Sequence, residues 1–179
     1  TVDLYPTILD LTGTPFPPPN GPDMGRTLVP LLQGKTDKVR DCALYGWFAD
    51  RVNYTDGHYT YLRAPVRQDR GPVAMYSLRW STAPWWNVPA PVASRMTFDR
   101  YLPWTDMAVG RMELTADEFG RTANQAKEVG MHMLFDVRSD PGQTRNLAGG
   151  PLEQEYAGKM RDALKACHAP KEQFIRLGL

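Results

Sequence analysis

Cysteine is scarce in this chain: Cys42 and Cys167 are the only two. They make at most one disulfide and cannot form a four-cysteine zinc site. Histidine is nearly as rare, and His58, His132 and His168 stand apart with no second ligand at the spacing that puts two on one helix face. Cys167 and His168 are adjacent, and adjacent helical residues point in different directions. No charge of one sign dominates, since 21 Lys plus Arg face 20 Asp plus Glu for a net charge of +1. That balance argues against a nucleic-acid partner or a membrane-surface partner, both of which need accumulated positive charge. No apolar run approaches the ~18 residues that span a bilayer, and the N-terminus lacks a basic-then-apolar leader profile. Nucleophile elbows, phosphate loops and dinucleotide fingerprints are missing, and no two carboxylates pair as acid and base. The chain itself therefore offers no catalytic residue, no metal ligand and no cofactor site.

What is present suits a packed domain, or a domain with an appendage: 179 residues, 42% of them hydrophobic. Sixteen prolines exceed the typical ~5%, which predicts ordered loops in place of dense helix. Residues 2–11 read as a short helix, with Pro6 in its first turn and Gly13 as its stop. Val2, Leu4, Tyr5, Ile8, Leu9 and Leu11 cover more than one face, so this helix expects protein on two sides. Either it is buried within this domain, or chain upstream of Thr1 covers it. Residues 14–23 are proline loop, Thr27 caps a short helix over residues 28–32, and residues 35–41 are a solvated linker.

From residue 42 the period changes. Residues 43–48, 51–55, 59–63, 75–79 and 131–137 read as strands, and Asp56-Gly57 between the second and third is a hairpin signal for a turn with two positive-φ residues. Residues 80–112 read as a long ordered loop, and Thr115-Ala116-Asp117-Glu118 as a capping box opening a short helix. Leu152, Tyr156, Met160, Ala163, Leu164 and Cys167 mark an amphipathic final helix. The expected fold class is α+β: an antiparallel sheet of about four strands packed by a C-terminal helix. Trp85, Trp86, Trp104 and Tyr101 have the shape to stack on sugar faces. Arg63, Arg67, Arg70 and Arg79 are offset only by Asp69, and their forks suit sulfate, phosphate or carboxylate. The competing reading makes the tryptophans loop core and the arginines a solvated edge.

Four segments in order carry a family resemblance. Residues 2–13 (VDLYPTILDLTG), Gly25-Arg26-Thr27-Leu28 with Pro30-Leu31-Leu32-Gln33-Gly34, residues 55–63 (TDGHYTYLR) and residues 134–148 (LFDVRSDPGQTRNLA) resemble the sulfatase family of the alkaline phosphatase superfamily. Gln143 stands where the family usually has Glu. The resemblance implies the C-terminal part of a sulfuric ester hydrolase. Residues 1–41 would end its large α/β domain, and residues 42–179 would form the small sheet subdomain. It implies a catalytic domain upstream as partner, with calcium and a formylglycine or serine nucleophile supplied there and a sulfate ester as substrate. A periplasmic or secreted setting is compatible with the family. The family's Cys/Ser-x-Pro/Ala-x-Arg motif is missing here; Cys167-His168-Ala169-Pro170-Lys171 has Lys where Arg is needed. Residues expected to border the substrate pocket are His58, Arg63, Trp85 and Trp86. This reading also expects an exposed apolar patch around Val2, Tyr5 and Ile8, open to self-association in the isolated segment. The alternatives are a phosphodiester or phosphonate monoester hydrolase of the same superfamily, and a free-standing glycan-binding or interaction module.

Overall fold

The computed structural model describes residues 2–16, 25–78, 94–102, 106–115 and 129–179. Trp80, Trp85, Trp86, Trp104, Arg79, residues 17–24 of the proline loop and the helix expected after Thr115 lie outside them.

Helix α1 spans Leu4–Leu11, with Pro6 in its first turn and Gly13 beyond its end at φ 65°. Pro6 and Thr7 are buried, and the Thr7 hydroxyl accepts the Leu28 amide at 2.9 Å, which ties α1 to α2 (Val29–Leu32). The opposite face is open. Val2, Leu4, Tyr5, Ile8 and Leu11 are all at least half exposed.

The first sheet is antiparallel in the order β1 (Ala43–Gly46), β2 (Val52–Thr55), β3 (Tyr59–Arg63) and β7 (Met133–Asp136). Strand alternation puts Tyr54, Tyr61 and Leu134 on one face, where helix α3 (Pro151–Ala166) covers them with Tyr156, Met160 and Leu164. These six side chains and Leu177 are the main core. At the β2–β3 hairpin Thr55 pairs with Thr60, which leaves Gly57-His58 as the central pair. Only Gly57 has positive φ (82°), so the turn is shifted by one residue from the Asp-Gly centre expected from the sequence. The reason is Asp56, whose Oδ1 accepts the amides of His58 (3.0 Å) and Tyr59 (2.9 Å) and closes the turn from its flank.

A second sheet, in the order β4 (Val73–Ser77), β6 (Val109–Leu114) and β5 (Thr97–Asp99), was not foreseen. The strand expected near Met75 belongs here, and β5 with part of β6 falls in the stretch read as loop. Helix α4 (Lys171–Leu177) joins the two sheets. Its Glu172 accepts from the Tyr76 hydroxyl and pairs with Arg111 of the second sheet, while Leu177 enters the core of the first. Thus the expected α+β class and the helix-covered sheet are both present.

Candidate functional site

The register of the first sheet sorts its polar residues to two ends. At the hairpin end stand Asp56, His58 and Asp136. The Tyr156 hydroxyl donates to Asp56 Oδ2 at 2.7 Å, and Lys159 lies 3.8 Å from the same oxygen. Burial opposes the charge of Asp56, yet the Tyr59 amide, the Tyr156 hydroxyl, the His58 amide and Lys159 together hold its carboxyl below the usual range. Burial and Asp56 push the Tyr156 phenol up. His58 Nε2 lies 3.3 Å from Asp136 Oδ1, and its ring packs on Tyr59 at 4.3 Å between centroids. Asp136 Oδ1 also accepts the amides of Arg138 and Ser139, chiefly through which its carboxyl is held low. This end is a hydrogen-bonded clasp. Replacing Asp56 with alanine removes two amide acceptors and the Tyr156 partner, with an expected loss of about 2 kcal/mol in thermal or urea unfolding. An unchanged midpoint would mean the clasp adds nothing to stability.

The other end collects arginines. Here the β1–β2 turn, the β3–β4 loop, the start of β7 and the end of α4 meet, and five guanidinium groups (Arg51, Arg63, Arg67, Arg70, Arg176) stand among the carboxylates of Asp50, Asp69 and Glu153. Arg63 is committed to structure: Nε donates to the Leu177 carbonyl at 2.8 Å, Nη2 to that of Gly178 at 3.0 Å and Nη1 to the Tyr61 hydroxyl at 2.7 Å. Glu153, in the first turn of α3, accepts from the Tyr61 hydroxyl (2.9 Å) and the Gly149 amide (2.7 Å) and sits 2.7 Å from His132 Nδ1. Burial opposes the charge on Glu153, but His132, the Gly149 amide and Tyr61 hold its carboxyl low. Arg176 is only 2% exposed, and its Nη1 donates to the Asp50 carbonyl at 2.7 Å. Arg70, 5% exposed, reaches the Asp50 carboxylate at 3.8 Å. On the sheet face away from α3, Arg51 Nε and Asn53 Oδ1 are shielded from solvent with no hydrogen-bond partner among the described residues.

His58 and Arg63 thus stand at opposite ends of β3, roughly 16 Å apart by strand rise, and do not share a pocket. Trp85 and Trp86 lie outside the described residues. Tyr101 packs edge-on against Tyr76 in the second sheet at 5.7 Å. The sequence reading passed over Trp47, at 83% exposure the most exposed large apolar side chain among the described residues. Its signal was the Tyr-Gly-Trp-Phe run at the end of β1, which reads as buried strand because it is apolar. A concavity of about 540 Å³ lies between α1 and the 25–27 segment, with Leu9, Asp10, Phe16 and Arg26 in its wall.

Nothing in these groups assembles a nucleophile with a base. Cys42 and Cys167 are free thiols, and burial pushes that of Cys167 up, away from thiolate chemistry. Among the described residues no three His, Cys, Asp or Glu side chains converge. No protein-family model matches the chain, and no curated protein matches it significantly.

Proposed function

We propose that this chain is the C-terminal segment of a sulfatase-type hydrolase, completing the fold and bordering the substrate pocket of an enzyme whose nucleophile and calcium ligands lie upstream. The carrying observation is the order of the four family-like segments together with where they fall in the fold. The first is α1, the second is the irregular approach to α2 with α2 itself, the third is the β2–β3 hairpin, and the fourth is β7 with its following turn. Two structural features support this reading. Tyr5 and Ile8 on the open face of α1, with Val2 just before it, are 57%, 57% and 50% exposed, a cluster of apolar surface that suits further chain packed on it. Arg51 Nε and Asn53 Oδ1, shielded on the sheet face away from α3, have no partner among the described residues, and further chain would supply one. On this reading the segment by itself is inactive, and its residues position and enclose substrate while the ester chemistry is done elsewhere.

The test is the product of the whole reading frame, purified and assayed on aryl sulfates, aryl phosphodiesters and aryl phosphonate monoesters. Sulfate hydrolysis at least tenfold faster than the others, lost on replacing the cysteine or serine of an upstream Cys/Ser-x-Pro/Ala-x-Arg segment, is the expected result. Preference for a phosphorus ester would move the protein to the sister activity. A reading frame without that segment would overturn the enzyme reading and leave a binding module.

A further inference from the structure

We infer that β1 is a docking edge for a second copy of this chain, the two β1 strands pairing antiparallel about a twofold axis. The contact is independent of the ester chemistry. A strand at the end of a sheet leaves the N–H and C=O of every second residue unpaired, and such an edge takes up another strand unless it is capped, charged or covered. This fold deals with three of its four edges. On β7, Asn146 Oδ1 accepts the Leu134 amide at 2.9 Å and the Leu134 carbonyl accepts the Leu147 amide at 2.8 Å, so the outer side is capped. β5 is three residues long and runs through Asp99 into Arg100. No residue of β4 is exposed, and α4 lies against it.

β1 has none of these protections. Its outer side meets no strand among the described residues, and from Cys42 to Ala49 the chain carries neither charge nor proline. Tyr45 and Gly46 are exposed. Leu44 packs on the core beneath α3, so strand alternation turns Tyr45, 48% exposed, to the opposite face of the sheet. The open backbone calls for an extended, uncharged partner, and a second β1 is one. About a twofold axis each outward amide meets an outward carbonyl of the copy, so the contact is self-complementary and closes at two chains. Neutral strands set no like charges face to face, and the two Tyr45 rings flank the seam. Pairing joins two four-stranded sheets into one of eight, with both α3 helices on the same face.

Sedimentation equilibrium of the product of the whole reading frame, over a range of protein concentrations, tests this. The mass is expected to approach twice that of one chain as concentration rises. Tyr45→Lys sets like charges at the seam and should weaken association about tenfold, with the thermal midpoint of the dilute protein unchanged. Hydrogen exchange locates the contact, since the amides of 43–46 are all protected in the dimer and only alternate ones in the monomer. A product that stays monomeric, or a dimer equally strong in Tyr45→Lys, overturns the proposal whatever the ester assay gives. Full protection of 43–46 in a monomer overturns it too, and puts a strand of the same chain on this edge.

Discussion

Alanine in place of Arg176 is expected to lower unfolding free energy by about 3–5 kcal/mol, the range for removing one member of a buried polar network. The residue is 2% exposed: its Nη1 holds the Asp50 carbonyl of the β1–β2 turn and its Nε and Nη2 share Gln173 Oε1 of its own helix, while its main-chain carbonyl, which truncation leaves in place, accepts the Val66 amide of the β3–β4 loop. Truncation leaves the Asp50 carbonyl and Gln173 without their donor and opens a cavity where a long side chain lay. A second term runs the other way. Burial lowers the Arg176 pKa to about 10, with Arg70 adding repulsion and Asp50 only partly offsetting it, so the charge itself is unfavourable in place. Methionine fills the space without the charge and is expected to cost only about 1–2 kcal/mol. Urea unfolding of the two variants decides which matters more; equal losses would show that cavity and packing are secondary to the hydrogen bonds.

The first sheet was readable in the sequence because its strands alternate cleanly and its hairpin carries a local signal. Val52 and Tyr54, then Tyr59 and Tyr61, alternate at the strand period, and Tyr156, Met160 and Leu164 recur at the helical one, so both halves of the main core announce themselves. The second sheet does not, because β5 is three exposed residues and β6 buries Val109, Gly110 and Met112, which breaks a two-residue alternation. Helix α4 was missed although Pro170 precedes it and Gly178 follows in the left-handed conformation; at seven residues it offers too few turns for a stripe to show.

The site was less legible than the fold for a related reason. Arg63 looked available because a sequence shows a guanidinium but not the carbonyls of Leu177 and Gly178, 114 and 115 residues further on, that occupy it. His58 looked like a solitary hairpin histidine, yet the β3–β7 pairing of Tyr59 with Asp136 brings a carboxylate to it. Trp47 was passed over because residues 43–48 read as one strand, whereas β1 ends at Gly46 and the turn after it leaves the indole in solvent. For Arg63 and His58 the deciding partner is distant in sequence, and only the folded chain brings it near.

Raising the pH above 10 should cost the fold several kcal/mol, through the tyrosines that fill its core. Burial pushes the phenols of Tyr54 and Tyr61 up to about 12 and that of Tyr156 up as well, while an unfolded tyrosine titrates near 10. The native state therefore keeps protons that the unfolded state releases. Stability from these groups is complete below pH 10 and falls as pH rises toward 12. Arg176 acts in the opposite sense, because its depressed pKa lets the native state lose a proton the unfolded chain retains, which adds stability over the same window. Burial raises the Tyr76 phenol and Glu155 raises the Lys159 ammonium, so both act with the three tyrosines and outweigh the one arginine, each proton being worth up to about 1.4 kcal/mol per pH unit. Two units of such loss approach the whole stability of a typical domain. Urea midpoints across this range, followed together with tyrosinate absorbance, should fall steeply, with the ionisation of these three buried phenols appearing only as the chain unfolds. Tyr61→Phe removes one of the three groups and should flatten the decline by about 1.4 kcal/mol per unit, though it also removes hydrogen bonds to Arg63 and Glu153 and so begins from a lower stability at neutral pH. Tyrosines that ionised near pH 10 with the midpoint unmoved would show that water reaches Tyr54, Tyr61 and Tyr156, and that the core does not close over them as the structure has it.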